Sequence, residues 1–500
     1  MKSATSGAPM SRPSLSLAAL LAALPLQTFA APASLATAAP SAAEEPADAA
    51  TLRALSERLR ALEQRLGNPV TTADTTASND GLATLDQRLR VLERKLELQQ
   101  DDATAKAQSA PVISLGEKGL AVRSADTQFE IKLRGTVQAD LRQYSGDDGA
   151  AVNDTFLFRR IRPTLEGSLG PLLGFRLTPE FAGDSATVID AYIDVRFNPA
   201  YTLRVGKLKG PIGLERLQSA NAIALIERGF PTELAPNRDI GAQLQGELAA
   251  GRVNYAIGVF NGAPDGRDSP TVDADDNVEY AGRVFFEPWK NSASGLSGLG
   301  FGLAASSGVK EGSGNNFLPR YRTPGQNTFF NYRAAVTADG KHTRLSPQAY
   351  YYRNAFGLLG EYIRSEQEVW LPGNAASRID LENTAWQLTG SWVLTGEDAS
   401  YKGVVRPAHP FVPGGDGFGA LELVARYGEL DVDDDAFPRY ADRSLSATRS
   451  RAWGVGLNWY LSANLKLVFN HTRASFDGGA PLSADRPDEK TFFSRVQVSF

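Results

Sequence analysis

Cysteine is absent from the 500-residue sequence, which excludes a disulfide framework, thiol catalysis and thiolate metal sites. The three histidines, His342, His409 and His471, stand far apart. No metal-ligand cluster and no cofactor site is expected from them. No stretch approaches the ~18 uninterrupted apolar residues that a membrane-spanning helix needs. The glycines of GLGFGLAASSG do not sit in a strand–loop–helix phosphate cradle, and no G-x-S-x-G elbow occurs. A formal charge of −5 argues against nucleic acid as a partner.

The length suits several soluble domains, or one large barrel with an appendage. The start has the pattern of a secretory leader (1–30). Lys2 and Arg12 precede the short apolar run Leu15–Leu26, and Thr28-Phe29-Ala30 offers a small-residue cleavage site. Residues 31–50, rich in Ala, Pro and Glu, are expected to be a linker. In 51–100 two segments carry leucines three and four apart, Leu52 to Leu66 and Leu82 to Leu96, the spacing of a coiled-coil seam. They predict a periplasmic coiled coil that oligomerises; the plainer alternative is two helices packed on each other. Residues 101–127 are expected to be a second linker.

From Gln128 the apolar period becomes two. In TVIDAYIDVRF, Ile189, Ala191, Ile193, Val195 and Phe197 alternate with Asp190, Tyr192, Asp194 and Arg196; the closing TFFSRVQVSF sets Val496, Val498 and Phe500 against Arg495, Gln497 and Ser499. Strands with one apolar and one polar face are what lipid outside and water inside require. Short turns at 198–200, 249–252, 354–355 and 461–464 alternate with long polar connections, and the long segment 396–417 falls on the short-turn side. About 16 strands fit between 128 and 500. The prediction is an all-β, 16-stranded antiparallel transmembrane β-barrel (128–500) preceded by an α-helical coiled-coil segment. The insertion 209–239 mixes Leu214, Leu217, Ile223, Leu225, Ile226 and Phe230 with Lys209, Arg216 and Arg228. So apolar a loop is expected to fold inward and narrow the lumen.

Strand parity places Arg160, Arg162, Arg176, Arg196, Arg204, Arg283, Arg426 and Arg495 on the inner face. By the same parity Arg159 falls on the lipid side, at a rim or subunit contact. Guanidinium groups are permanently charged and match oxyanions in geometry. A series of weak sites lets an anion enter, move along and leave. The bland alternative pairs these arginines with Glu166, Glu180, Asp190, Asp194, Glu247 and Glu279, so that they only solvate the lumen.

The runs FLFRRIRPTLEG, LRVGKLKGPIGLERL and SWVLTGEDASYKGVVRPAHPF, with GVGLNWYL and FFSRVQVSF near the end, resemble the phosphate-selective porin O/P family. The resemblance spans roughly residues 125–500. It implies a trimeric 16-stranded outer-membrane barrel with arginines along the channel and an inward third loop carrying lysine. By position it puts Lys207 and Lys209 at the entry to that constriction loop, with Arg216 and Arg228 inside it, and gives Arg159-Arg160 the place of a paired basic motif. The terminal Phe500 resembles the signal read by the barrel assembly machinery. The expected function is a passive outer-membrane diffusion channel for phosphate, pyrophosphate or polyphosphate, in contact with outer-membrane lipid and lipopolysaccharide. A general or sugar-type porin is the alternative within transport. A barrel enzyme, with His471 as its sole strand-borne candidate, and a purely envelope-tethering role are the others.

Overall fold

The computed structural model of the chain describes residues 53–54, 56–61, 64, 79–145, 153–270, 272–273, 275–401 and 405–500. The expected leader and first linker lie outside the described residues. The chain divides into two units, Met1–Thr104 and Ala105–Phe500. A helix spans Asn79–Ser109. Within the first unit, Leu59 buries against Leu89 and Leu92 with Leu96 alongside, and Arg58 pairs with Glu93 at 2.6 Å. These leucines meet within one chain, which is the plainer of the two expected arrangements. The linker expected at 101–127 is instead helical as far as Ser109, and then forms a hairpin of β1 (Val112–Gly116) and β2 (Gly119–Arg123).

The remaining strands are β3 (Phe129–Tyr144), β4 (Thr155–Leu169), β5 (Leu173–Glu180), β6 (Thr187–Asn198), β7 (Tyr201–Leu208), β8 (Asp239–Leu248), β9 (Val253–Phe260), β10 (Glu279–Phe286), β11 (Leu299–Glu311), β12 (Arg320–Arg322), β13 (Thr328–Asn331), β14 (Thr337–Arg353), β15 (Phe356–Leu371), β16 (Asn374–Val393), β17 (Ala420–Asp431), β18 (Ala447–Tyr460), β19 (Leu465–Gly478) and β20 (Glu489–Ser499). β12 and β13 form a separate small hairpin between β11 and β14. The main sheet has 18 strands, two of them the hairpin β1–β2, which pairs with the first residues of β3. The other 16 pair antiparallel in chain order, and β20 returns to β3 from Ser499↔Thr136 to Thr491↔Tyr144. These 16 strands close into a barrel, so none of them ends the sheet as an edge strand.

The seam is finished by Phe500. Its backbone exchanges hydrogen bonds with Gly135 at 2.9 and 3.0 Å, and its ring lies where a β-carbon on residue 135 would stand. Only glycine admits the ring there. The period-two faces separate as the sequence predicts in β20: Val496 and Val498 are 43% and 38% exposed on the outside, while Arg495 and Gln497 are 3% and 2% exposed within. On the outer wall Trp386 and Trp392 lie six residues apart on β16, as do Trp453 and Trp459 on β18. That spacing separates the members of each pair by about 20 Å of strand. Trp386 packs on Tyr427, Trp392 on Phe356, and Trp459 on Phe418, the aromatic girdles of a lipid-facing band.

One rim carries the connections 170–172, 199–200, 249–252, 287–298, 354–355, 394–419 and 461–464. The other carries 145–154, 181–186, 209–238, 261–278, 312–336, 372–373, 432–446 and 479–488. The misfit expected near 396–417 is therefore real, since a long segment does stand on the short-turn rim.

Candidate functional site

The connection 209–238 turns into the barrel. It contains one helical turn, Leu214–Leu217, and a 3-10 turn, Phe230–Glu233. Leu214, Ile226, Phe230 and Leu234 are fully buried, which accounts for the apolar residues in a nominal loop. The loop leans on one half of the wall, and strands β3 and β15–β20 each contribute a polar anchor. Glu361 accepts from the amides of Leu214 (2.5 Å) and Glu215 (3.2 Å), and Gln387 donates to Glu215 at 2.9 Å. Arg426 donates to the Glu227 carbonyl at 2.9 Å, Arg495 to that of Ile226 at 3.0 Å, and Asn458 to that of Ala224 at 3.0 Å. Asn470 accepts from the Ile226 amide at 3.3 Å, and Gln138 donates to the Ala220 carbonyl at 3.4 Å. Leu225 enters a notch over Gly454 and Gly456, where added β-carbons would come within 3.2 and 2.9 Å of its methyl groups.

With the loop on that side, the open lumen is left against β4–β10. It is a cavity of about 1310 Å³. Twelve basic side chains line it: Arg159, Arg160, Arg162, Arg176, Arg204, Lys209, Arg216, Arg228, Arg238, Arg267, Arg283 and Arg322. Its three acidic residues are Asp190, Glu247 and Asp268. A chain of net charge −5 thus presents a strongly positive interior.

The basic groups fall into two sets of six; Arg159 with Glu227 and Arg322 with Glu233 join the paired set, and Arg267, which donates to the carbonyls of Asn316 and Leu318, joins the set without a carboxylate ion pair among the described residues. Arg162 pairs with Glu180 at 2.5 Å, Arg176 with Glu166 at 3.2 Å, Arg204 with Asp194 through two bonds of 2.7 and 3.0 Å, and Arg238 with Asp190 at 3.1 Å. For these the bland alternative holds. Among the described residues, no carboxylate forms an ion pair with Arg160, Lys209, Arg216, Arg228 or Arg283. Arg160 donates to Gln138 (2.6 Å), Lys209 to the carbonyls of Leu217 and Gln218, and Arg216 to Asn237 and the Thr232 carbonyl. Arg228 donates to the carbonyls of Glu215 and Gln218, and Arg283 to Gln348 at 3.0 Å. The Nε atoms of Arg160 and Arg216 are buried without a partner. Burial, followed by repulsion from Arg228 and Arg238, holds the Lys209 ammonium well below the usual lysine range. Burial and neighbouring arginines also lower Arg216 to about 9 and Arg228 to about 10, and both stay charged at neutral pH. Crowding of like charge in a low-dielectric lining is relieved by an entering anion.

Four expected pathway residues lie elsewhere. Arg196 stands near the short-turn rim beside Asp194 (3.7 Å), outside the cavity lining. Arg426 and Arg495 do point inward, but beneath the loop. Arg426 pairs with Glu215, and Arg495 holds Asp140 through bonds of 2.6 and 2.8 Å. Their work is anchoring. Lys207 belongs to β7 and not to the loop, and reaches Asp268 at 3.8 Å.

Arg159 corrects the parity argument. Opposite Gln138 and Ala139 stand Arg160 and Phe158, so Arg159 is an extra residue in a β-bulge. Arg159 and Arg160 therefore both line the lumen, and Arg159 bonds Glu227 of the loop at 2.6 and 3.1 Å. The signal was present in the sequence. Phe156 and Phe158 are even-numbered, whereas Ile161 and Leu165 are odd-numbered, and both sets face outward. A second bulge between β5 and β6 turns Ile189 inward as well, against its expected place with Ala191 and Ile193. Arg238, Arg267 and Arg322 were not singled out because they lie on connections, where period two carries no information.

Among the described residues, the two histidines on strands assemble no catalytic relay. His471 packs on the ring of Trp453 at 5.5 Å. His342 lies 3.1 Å from Ser365 and 3.4 Å from Asp265, but both contacts use the same ring nitrogen, and Arg344 holds Asp265 at 2.6 Å. A relay needs the two ring nitrogens to face opposite partners.

Porin O of Pseudomonas aeruginosa is 24% identical over 426 residues, 79% of this chain and 94% of that protein. An uncharacterised protein of Caulobacter vibrioides is 25% identical over 454 residues, 87% of this chain and 85% of its own length. Among solved structures, the outer membrane channel DcaP of Acinetobacter baumannii superposes with a TM-score of 0.48 at 12% identity, covering 75% of this chain and 98% of that one. OmpF of Salmonella typhi gives 0.48 at 10% identity, covering 78% and 100%. The family model for phosphate-selective porin O and P matches residues 131–500, and the chain belongs to that family of outer-membrane porins.

Proposed function

We propose that this porin is a passive diffusion channel for small anions, phosphate first and pyrophosphate or polyphosphate with it. The observation that carries the proposal is the lining of the lumen, with twelve basic side chains against three acidic ones. The loop narrows the path, and the unpaired Arg160, Lys209, Arg216, Arg228 and Arg283 replace part of the anion's hydration. The paired arginines offer weaker stations, since each already shares its charge. Unit charges about 4 Å apart attract by roughly 4 kcal/mol at an effective dielectric near 20 and by about 1 kcal/mol in bulk water. Attraction in that range biases entry without trapping the ion.

The barrel is proposed to work as a homotrimer, delivered by a cleaved leader and assembled through recognition of Phe500. Residues 51–100 are proposed to lie in the periplasm, with the loop rim toward lipopolysaccharide. The carboxylates on Arg162, Arg176, Arg204 and Arg238 favour a second reading, a general porin of mild charge preference. Reversal potential across a planar bilayer under a KCl gradient, repeated with phosphate, separates the two. Strong anion preference with chloride current blocked by low phosphate supports the first; weak or cation preference moves the function to the second. Replacing both Arg160 and Arg162 by Glu should lower anion selectivity, and an unchanged reversal potential would refute the mechanism.

A further inference from the structure

Below the main cavity lies a second, smaller one of about 340 Å³, which shares Leu217, Ser219, Asn254 and Arg283 with it. Its character is different. Phe285, Tyr350 and Tyr401 form its wall. Tyr350 stacks on Tyr401 with ring centres 4.8 Å apart and planes 21° apart, and Phe285 continues the stack at 5.1 Å. Tyr401 comes from 394–419, the long connection of the short-turn rim. It donates to the Leu214 carbonyl at 2.8 Å, and its own carbonyl accepts from Gln218 at 3.0 Å. The constriction loop is thus met from below by an aromatic side chain. Arg283 lies over the Phe285 ring at 4.5 Å and has no carboxylate ion pair among the described residues. The acid in the wall, Glu287, is neutralised by Lys290 at 3.1 Å and accepts from Tyr350 at 2.9 Å.

Inorganic phosphate has no use for stacked rings. A volume of this size suits a small ring-bearing molecule, aromatic faces hold a planar ring by stacking, and a guanidinium takes a phosphate. We propose that the lower cavity is a subsite for aryl phosphate monoesters, the ring resting on the Tyr350–Tyr401 stack and the phosphate on Arg283. This deepens, and rests on, the assignment of the lumen as an anion path. It extends the cargo from inorganic oxyanions to phosphates that carry an aromatic group.

The test is block of single-channel chloride current in the intact protein by inorganic phosphate, methyl phosphate and phenyl phosphate, each added from either side. Phenyl phosphate should block at concentrations at least about fivefold lower than methyl phosphate, a difference of about 1 kcal/mol, and more strongly from the short-turn side. Tyr401→Phe should keep that preference; Tyr401→Ala should abolish it while leaving block by inorganic phosphate in place. Equal block by phenyl and methyl phosphate overturns the subsite and leaves the anion channel standing. Absence of block by inorganic phosphate overturns the anion path itself, and a preference that survives in Tyr401→Ala places the ring elsewhere and also overturns the subsite.

Discussion

Arg160→Gln is the cleanest perturbation the lumen offers. Arg160 lines the cavity, is buried, bonds Gln138 at 2.6 Å and has no carboxylate ion pair among the described residues. Removing its charge therefore strands no acid. The same change at Arg162 would strand Glu180, and at Arg159 it would leave Glu227 to Arg142 and take a loop contact away. The replacement amide is able to keep a hydrogen bond to Gln138, so the wall should hold its shape. What is lost is one positive charge at contact range. For an ion about 4 Å away this amounts to roughly 1 kcal/mol if the lumen screens like bulk water, and up to about 4 kcal/mol at an effective dielectric near 20. A water-filled pore belongs toward the lower end, so block of chloride current by phosphate should weaken about five- to tenfold. The effect should shrink as salt is raised, because the Debye length falls from about 10 Å at 0.1 M to about 3 Å at 1 M. The assay is phosphate titration of single-channel current, with open-channel conductance and heat-resistant assembly as controls for folding. An unaltered titration in a variant of normal conductance would refute the claim that unpaired guanidiniums set anion affinity.

Other consequences are equally open to measurement. Gly456→Val should drive Leu225 from its notch, since even a β-carbon there meets Leu225 at 2.9 Å and Val424 at 3.0 Å; overpacking of about 1–3 kcal/mol should appear as a larger, noisier conductance. Arg495→Gln leaves Asp140 to Arg142 alone at 3.1 Å and takes a donor from the Ile226 carbonyl; it should lower the thermal stability of the folded barrel by about 1.5–3 kcal/mol, the range for lost charged hydrogen bonds, with wild-type melting counting against an anchoring role. Lys209 has a depressed pKa, so it loses its charge as pH rises, and does so before an ordinary lysine would. Anion preference measured from KCl reversal potentials should therefore decline with rising pH at values below the ordinary lysine range, and Lys209→Arg should flatten that profile. A decline of equal size in Lys209→Arg would assign it to another group.

The barrel was legible because period two is a local property. Each strand announces its wet and its oily face within a few residues, as Arg495 and Val496 do in β20. The inward turn of 209–238 was legible for the same reason, since a loop with Leu214, Ile226 and Phe230 must hide them. Which arginines line the open cavity was not. Arg426 and Arg495 face inward just as Arg160 and Arg283 do, and differ only in lying on the half of the wall that the loop covers. That choice depends on the notch at Gly454 and Gly456 and on anchors from strands far apart in sequence. The bulges at Arg159 and Ile189 shift parity by one residue, and strict alternation assigns both residues to the wrong side.

The loop's anchors have an order in time. The wall that carries the basic lining, β4–β10, comes before the strands that hold the loop away from it, and Arg426, Asn458, Asn470 and Arg495 belong to the last four strands of the chain. A nascent sheet ending at β16 owns every basic residue of the lining but only three of the seven anchors, Gln138, Glu361 and Gln387. Narrowing and circularisation are one event: the strand that brings Phe500 to Gly135 also delivers Arg495 to the loop. A chain without its last four strands would lack four of the loop's seven anchors, so the seated loop belongs to the closed barrel alone.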